Sequence, residues 1–185
     1  AVPYNNIDAL EAMFEKNAKK IACFIVEPVL ENLAIILPDA GYLERVRELC
    51  DQYDVVLIFD EVKTGLTAGA HGASARLGVK PDLITLAKSI GGGLPLAAFG
   101  GKKKYMDFVT NGKMAHFGTF NGNPLAMAGV RAIDRICSDQ VLVDAEAMNL
   151  QALTRIGEVI DEYQLPAHTV GFGIKGCVSW STTPV

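Results

Sequence analysis

Residues 55–61 read Val-Val-Leu-Ile-Phe-Asp-Glu, and this stretch decides the fold of the 185-residue chain. Five consecutive apolar residues, rich in β-branched side chains, predict a short buried strand over Val55–Phe59. A continuously apolar strand is typical of the centre of a parallel sheet. The acidic pair Asp60-Glu61 follows directly, and ligands of parallel sheets bind beyond this end of the strands.

Helical and strand patterns alternate on both sides of this strand. Four helices are predicted from caps and apolar spacing: from Asn6 to about Lys19, from Asp39 to about Cys50, from Asn123 to about Ile136, and from Val141 to about Tyr163. Five further strands are predicted at Ile21–Val26, Leu83–Leu86, Leu96–Phe99, Thr169–Ile174 and Cys177–Trp180. This alternation predicts an α/β fold with a mainly parallel sheet flanked by helices.

The composition excludes several classes of function. Half of the residues are hydrophobic, 21% are charged and the formal net charge is −4, as in ordinary soluble globular proteins. No basic stripe with aromatic residues indicates nucleic-acid binding, and the run Lys102–Lys104 predicts only a solvent-exposed helix start. The apolar stretches are too short to span a membrane, and no signal peptide is recognisable. The four cysteines lack metal-ligand spacing, so we expect a cytoplasmic protein without a metal site.

Three features fall at predicted strand ends or helix starts. Asp60 follows one strand, Lys88 follows another and precedes Gly91–Gly93, and Gly118-Thr119 precedes the helix capped by Asn123. Taken singly, each has an ordinary structural explanation: a cap, a surface lysine near a turn, or a helix start. Taken together, they predict a single chemistry.

That chemistry is catalysis with an aldehyde-bearing pyridine cofactor. A lysine amine forms an imine with an aldehyde, and a buried carboxylate keeps a pyridine nitrogen protonated. A hydroxyl group and a helix N-terminus bind a phosphate tail. Glycines beside the lysine let the backbone pass close to the cofactor, because no Cβ stands in the way.

Three segments resemble class III pyridoxal-phosphate (PLP) aminotransferases: Ile58–Gly65, Pro81–Pro95 and Gly118–Ala126. They stand in the order and at about the spacing of that family, and Glu27-Pro28-Val29 matches its segment upstream of the aspartate. The resemblance covers nearly the whole chain. It implies the large domain of PLP-dependent transferases, with pyridoxal 5′-phosphate as cofactor.

Carried over to this sequence, the resemblance implies five site residues. Lys88 would form the Schiff base with PLP and shuttle a proton, and Asp60 would pair with the pyridinium nitrogen. Val62 would pack on one face of the ring, and Glu27 would lie near the ring. Thr119 would bind the phosphate across a dimer interface. The implied partners are a second copy of the chain and small amino-acid and keto-acid substrates.

The resemblance also bears on domain organisation. Members of the family are considerably longer, so we expect this chain to be a fragment of a longer protein. Residues 1–138 would belong to the PLP-binding large domain. Residues 139–185 would form a connecting helix and the start of an α+β C-terminal small domain.

The branch of the family is left open between two choices. The stretch Glu27–Leu43, with Asn32, resembles glutamate-1-semialdehyde aminomutases, whereas Leu66–Val79 also resembles β-amino-acid aminotransferases. Lys63 departs from both, since relatives usually carry Gln or Met there. The sequence therefore predicts either an aminotransferase or an aminomutase. The three histidines, His71, His116 and His168, are interpreted as surface residues.

Two other classes of function compete with this interpretation. Residues 55–61 also resemble the strand and acidic pair that hold Mg²⁺ in nucleotide hydrolases, but the chain contains no Gly-x-x-x-x-Gly-Lys-[Ser/Thr] loop. The second alternative is a catalytically inactive fragment or remnant that acts as a binding or structural module. The presence of Asp60, Lys88 and Thr119 argues against it, because a structural module needs none of them.

Overall fold

A computed structural model describes residues 1–181 and contains two sheets. The larger has the strand order β1 (Cys23–Val26), β2 (Val56–Asp60), β3 (Leu83–Leu86) and β4 (Ala98–Gly101). The first three strands are parallel and β4 is antiparallel to β3, which confirms the prediction of a mainly parallel sheet.

Helices flank this sheet and connect it to a hairpin. The α-helices are α1 (Ile7–Asn17), α2 (Tyr42–Gln52), α3 (Thr64–Thr67), α4 (Gly72–Arg76), α5 (Lys103–Thr110), α6 (Pro124–Ile136) and α7 (Asp139–Glu162). Short 3-10 helices occupy Ala18–Lys20, Glu31–Leu33 and Lys88–Gly91. The second sheet is the antiparallel hairpin of β5 (His168–Phe172) and β6 (Lys175–Ser179). No helix in the described part of the chain is both long and apolar enough to cross a membrane.

The predicted helix caps are confirmed in two cases and wrong in one. The Asn6 side chain accepts a hydrogen bond from the Ala9 amide, and that of Asn123 accepts from the amides of Leu125 and Ala126. Asp39 is not the cap of α2. Gly41 holds that position with a φ of +85°, a left-handed turn that delays the helix start to Tyr42.

The predicted strand at Leu96–Phe99 is displaced along the chain to β4. Antiparallel pairing sets the register, with Ala98 opposite Leu86 and Gly101 opposite Leu83. Gly101 allows this register because a Cβ there would overlap the Asp82 carbonyl. Helices α3 and α4 were not predicted, because stretches this short have no apolar periodicity.

The main core lies between β2 and the helices α1 and α2. It is formed by fully buried side chains from these three elements: Leu10, Phe14, Val46, Leu49, Leu57 and Phe59. On β2, Leu57 and Phe59 are fully buried, whereas Val56 and Ile58 alternate with them and are half-buried. The strand is central, as predicted, but only one of its faces is completely covered within residues 1–181.

The buried carboxylate of Asp82 joins four elements at the start of β3. It accepts hydrogen bonds from the Leu57 amide of β2 (2.8 Å), from Arg47 of α2 (3.0 Å) and from Lys102 before α5 (2.6 Å). Burial alone would raise the pKa of this carboxyl, but the hydrogen bonds from Lys102, the Leu57 amide and Arg47 outweigh it and lower the pKa. Asp82 is therefore ionised in the folded protein and fixes where β3 begins.

We expect Asp82→Asn to lower the free energy of unfolding at pH 7 by about 2–4 kcal/mol, because it leaves Arg47 and Lys102 without their buried partner. The folded-state pKa of Asp82 is lowered. Its contribution is therefore complete above the unfolded-state pKa of about 4 and is lost as the pH falls through the folded-state pKa. Urea denaturation of both proteins should show their difference shrinking in acid.

The matched control is Asp51→Asn, which removes the exposed partner of the same arginine. An exposed ion pair contributes less than about 1 kcal/mol, so this variant should stay close to wild type. Equal losses in the two variants would contradict the role assigned to Asp82.

Candidate active site

The carboxyl edge of the parallel strands brings three of the predicted site residues together. Val26 pairs with Phe59 in the sheet, so Glu27 and Asp60 leave neighbouring strands side by side. Asp60 in turn pairs with Thr85, and Lys88 follows Thr85 by three residues. Register alone therefore assembles two carboxylates and an amine at one edge.

Asp60 is half-buried and its carboxylate is held in place. Its Oδ1 accepts hydrogen bonds from the Val62 amide (3.0 Å) and from the Thr85 hydroxyl (3.2 Å). Both bonds use the same oxygen, so Oδ2 can accept a hydrogen bond from a ligand. Sequence reasoning missed Thr85. The signal was a single hydroxyl inside the apolar run of β3, at the position that pairs with Asp60.

Glu61, the other member of the acidic pair, has a purely local role. Its buried carboxylate accepts hydrogen bonds from the backbone amides of Ala73 (2.7 Å) and Ser74 (3.0 Å) at the start of α4, and from the Thr64 hydroxyl. A Cβ at Gly72 would overlap this carboxylate. Both oxygens of Glu61 are occupied by these hydrogen bonds. Asp60 and Glu61 therefore cannot act together as the two metal-binding carboxylates of a Mg²⁺-dependent nucleotide hydrolase.

Lys88 is exposed and begins the 3-10 helix that follows β3. Its φ of +50° lies in the left-handed region, directly after an extended Ala87. A side chain in this conformation costs about 1–2 kcal/mol relative to the right-handed one. Strain of this kind persists where the surroundings enforce it, and such residues cluster at functional sites. The backbone therefore turns sharply at the residue predicted to carry the reactive amine.

Helix α6 packs directly on the turn that follows Lys88. A Cβ at Gly129 of α6 would lie 2.9 Å from the Gly91 carbonyl oxygen and 2.9 Å from Leu94. Gly92, with a φ of +60°, closes the same turn against Ile133. Glycines on both sides of this contact thus set the distance between the lysine turn and the helix.

Thr119 is exposed in the loop before α6, away from any strand end. Residues 118–121 of this loop form a turn, in which the Asn121 backbone amide donates a hydrogen bond to the Gly118 carbonyl (3.0 Å). The Asn121 side-chain amide lies 3.3 Å from His116 Nε2, and a Cβ at Gly118 would crowd that side chain. Because Thr119 follows no strand of the sheet, strand pairing does not bring it next to Asp60 and Lys88.

The predicted surface histidines divide into two groups. His71 and His116 are exposed, as predicted, although the ring of His116 also packs edge-on against Phe99. His168 is half-buried and its Nδ1 lies 2.8 Å from the Ser181 carbonyl oxygen, so interpreting it as a surface residue was wrong. Pairing in the hairpin draws it inward.

A cleft of about 670 Å³ is lined by Val62 and Thr85, the two residues that hydrogen-bond to Asp60, although Asp60, Lys88 and Glu27 are not among its lining residues. Its lining is mostly apolar and includes Val62, Thr85, Leu86, Phe99, His116 and Phe120. Apolar walls with a few polar groups are typical of sites for small organic ligands. Within residues 1–181, no three His, Cys, Asp or Glu side chains cluster as metal ligands would. The carboxyl edge of the sheet thus carries an exposed amine and a fixed carboxylate, and the neighbouring cleft has a mostly apolar lining.

Comparisons with known proteins agree with this geometry. The family model of the aminotransferase class-III proteins matches residues 3–174. The chain is 51% identical to glutamate-1-semialdehyde 2,1-aminomutase of Desulfovibrio desulfuricans over 127 residues, which are 68% of this chain and 30% of that protein. It is 39% identical to the aminomutase of Syntrophobacter fumaroxidans over 184 residues, 98% of this chain and 42% of that one.

Solved structures give the same result. An omega-transaminase from Sphaerobacter thermophilus superposes with a TM-score of 0.92 at 31% identity, over 98% of this chain and 42% of that one. A beta-phenylalanine aminotransferase from Variovorax paradoxus superposes with a TM-score of 0.93 at 28% identity, over 100% of this chain and 43% of that one. The chain therefore spans less than half the length of these relatives.

We expect Gly129→Ala to lower the free energy of unfolding by about 1–3 kcal/mol, because the added methyl meets the Gly91 carbonyl oxygen. The matched control is Gly157→Ala in α7, where a Cβ would meet only Thr169 at 3.9 Å. Alanine is the better helix former, so the control should gain up to about 1 kcal/mol. Urea denaturation measures both, and a gain in the two variants alike would contradict the close packing of α6 on the lysine turn.

Proposed function

The chain belongs to the class-III aminotransferase family, and we propose that it serves PLP-dependent transfer of an amino group through Lys88. The observation that carries this proposal is the register of β1, β2 and β3. This register supports the proposal because Glu27, Asp60 and Lys88 all lie at or just beyond the carboxyl ends of neighbouring strands, and Val62 lines a mostly apolar cleft. The residues fit the cofactor, since a fixed carboxylate, an exposed lysine and an apolar wall match a pyridinium, an aldehyde and a ring face.

Asp60 would bind the pyridinium nitrogen through Oδ2, the oxygen that its described hydrogen bonds leave available. The Val62 amide and the Thr85 hydroxyl hold Oδ1, so the carboxylate keeps one orientation while a ligand binds. A carboxylate at this position favours the protonated ring, which is the form that best withdraws electrons from the reacting carbon of a substrate. Val62 would cover one face of the ring, and Glu27 would stand at the neighbouring strand end.

Lys88 would have two tasks. Its amine would hold the cofactor covalently before the substrate arrives, and it would then carry a proton to or from the reacting carbon of the substrate. The left-handed backbone at Lys88 and the close packing of Gly91 on Gly129 support this role, because both restrict the turn that carries the amine.

Thr119 would bind the phosphate group from a second copy of the chain. Its exposed loop supports this proposal, since the side chain is free to enter a neighbouring subunit. Two apolar side chains of the same loop, Phe117 and Phe120, are 94% and 79% exposed, as an unpaired interface would be. We therefore propose a homodimer in which each subunit completes the site of the other.

The relatives leave two reactions open within the proposal. In an aminotransferase the amino group passes to a keto acid, whereas in an aminomutase it returns to the neighbouring carbon of the same substrate. The aminomutase relatives favour the second reaction, and the omega-transaminase and beta-phenylalanine aminotransferase structures favour the first. Small amino and keto acids are the proposed substrates in either case.

Domain organisation and location complete the proposal. Residues 1–138 would form part of the PLP-binding domain, and residues 139–181 would form the connecting helix and the start of a small domain; residues 182–185 of the predicted second unit lie outside the described residues. The four-stranded sheet ends before position 139 and the hairpin follows α7, in agreement with this division. All four cysteines are free thiols, which supports the cytoplasm as the compartment.

We expect PLP followed by borohydride to label the peptide that contains Lys88, because reduction fixes the bond between the lysine and the cofactor. Lys88→Ala should lose both the label and the visible absorbance. Mass mapping of the labelled peptide is the measurement, with the full-length aminomutase of Desulfovibrio desulfuricans as the positive control. A label on the relative but on no peptide of this chain would favour the inactive fragment or remnant.

We expect the Lys88→Ala and Thr119→Val proteins to restore PLP labelling when their subunits are mixed. In the mixed dimer the Thr119→Val subunit supplies the lysine, and its partner supplies the intact Thr119. Labelling at limiting PLP measures the outcome, and each variant alone serves as the control. Labelling that is no higher in the mixture than in the separate variants would contradict a shared site.

A further inference from the structure

An ion pair joins the hairpin to the loop that follows β1. Lys175 Nζ lies 2.5 Å from Glu31 Oε2 and 3.5 Å from the Lys63 carbonyl oxygen. The Glu31 carboxylate is 1% exposed, and its other oxygen is buried without a hydrogen-bond partner among residues 1–181. A buried carboxylate with a single partner contributes little net stability compared with apolar side chains, so its position requires another explanation.

That explanation lies in the loop formed by residues 30–36. Two consecutive residues other than glycine, Ala34 and Ile35, have φ values of +65° and +61°. The left-handed region is unfavourable for β-branched side chains such as that of Ile35. The loop is pinched at its base, where the amides of Leu30 and Ile36 each donate to the carbonyl of the other. It is therefore a strained segment that needs contacts from outside to keep its shape.

The hairpin supplies those outside contacts. Lys175 binds Glu31, and the Cys177 thiol lies 3.3 Å from the Ala34 carbonyl oxygen. Phe172 packs with Ile35 in the same buried apolar cluster. Three residues of the hairpin thus contact the strained loop, one through an ion pair, one through a hydrogen bond and one through apolar packing.

The hairpin is itself fixed to α3, which begins just beyond Asp60 and Val62. The Ile174 amide donates to the Thr67 carbonyl (2.9 Å), and a Cβ at Gly173 would overlap that same carbonyl. Lys175 therefore bridges the loops that leave β1 and β2. The first loop begins with Glu27 and the second follows Asp60, both at the carboxyl edge of the sheet.

We propose that Lys175 is a positioning residue, which holds the strained loop of residues 30–36 against the edge of the site through Glu31. Through this bond the hairpin fixes the loops that follow β1 and β2, without contacting the proposed reacting groups. The relevance of these loops to catalysis rests on the proposed PLP function. The bond itself does not depend on the cofactor.

Amide hydrogen exchange in the full chain tests the proposal directly. The loop holds four amides in described hydrogen bonds, those of Leu30, Glu31, Leu33 and Ile36. Lys175→Met should speed their exchange about tenfold, because the loop opens locally more often. Peptides from β2 and β3 should exchange as in wild type, and Lys175→Arg should restore the slow exchange by keeping the charge.

Two further variants separate positioning from general loosening. Glu31→Gln should reproduce the effect of Lys175→Met, and the double variant should exchange no faster than either single variant, as expected for partners in one interaction. Arg45→Gln breaks the ion pair between α2 and Glu11 of α1, which involves neither the loop nor the hairpin. This matched control should leave exchange in residues 30–36 unchanged.

Faster exchange in the loop alone, with rescue by arginine, would support the proposal. Unchanged exchange in Lys175→Met would overturn it, as would equal acceleration across β2, β3 and the loop. Because exchange needs no cofactor, a failure of the chain to bind PLP would overturn the proposed function and leave this result intact.

Discussion

The position of β3 relative to β2 is the constraint on which the candidate site depends, and a buried carboxylate sets it. Asp82 binds the Leu57 amide through its side chain, and its own amide donates to the Leu57 carbonyl. These contacts fix the start of β3, so Thr85 falls opposite Asp60 and Lys88 emerges beyond the same edge. A shift of one residue would turn the Thr85 side chain to the other face of the sheet and remove its bond to Asp60.

Four acidic residues of similar chemistry take different parts because their surroundings differ. Asp82 fixes strands at the buried start of β3, and Glu61 caps α4 with both of its oxygens. Glu31 has one oxygen paired with Lys175 and one buried without a partner, which ties a strained loop to the hairpin. Among these four, Asp60 alone has one oxygen held by hydrogen bonds and another that is neither bonded nor buried in the described structure, as the proposed pairing with a cofactor nitrogen requires.

Several glycines allow close packing around the candidate site because they have no side chain. Gly92 and Gly129 let the lysine turn and α6 come into contact, and Gly118 leaves space for the side chain of Asn121. A Cβ at Gly92 or Gly129 would push the lysine turn and α6 apart, and one at Gly118 would displace the Asn121 side chain in the loop that carries Thr119. The glycine-rich motifs that identify the family are thus steric conditions for two of the proposed site residues.

The sequence by itself determined the α/β class, the strands β2 and β3, the Asn123 cap of α6, and the location of Asp60 and Lys88 at strand ends. These follow from apolar patterns and capping residues that act within a few positions of one another. Only the tertiary structure decided the bond from Thr85 to Asp60, the use of Glu61 as a cap, the left-handed Lys88 and the pair of Glu31 with Lys175. The last of these spans 144 positions. Such contacts depend on strand register and on the packing of distant segments, which no local pattern records.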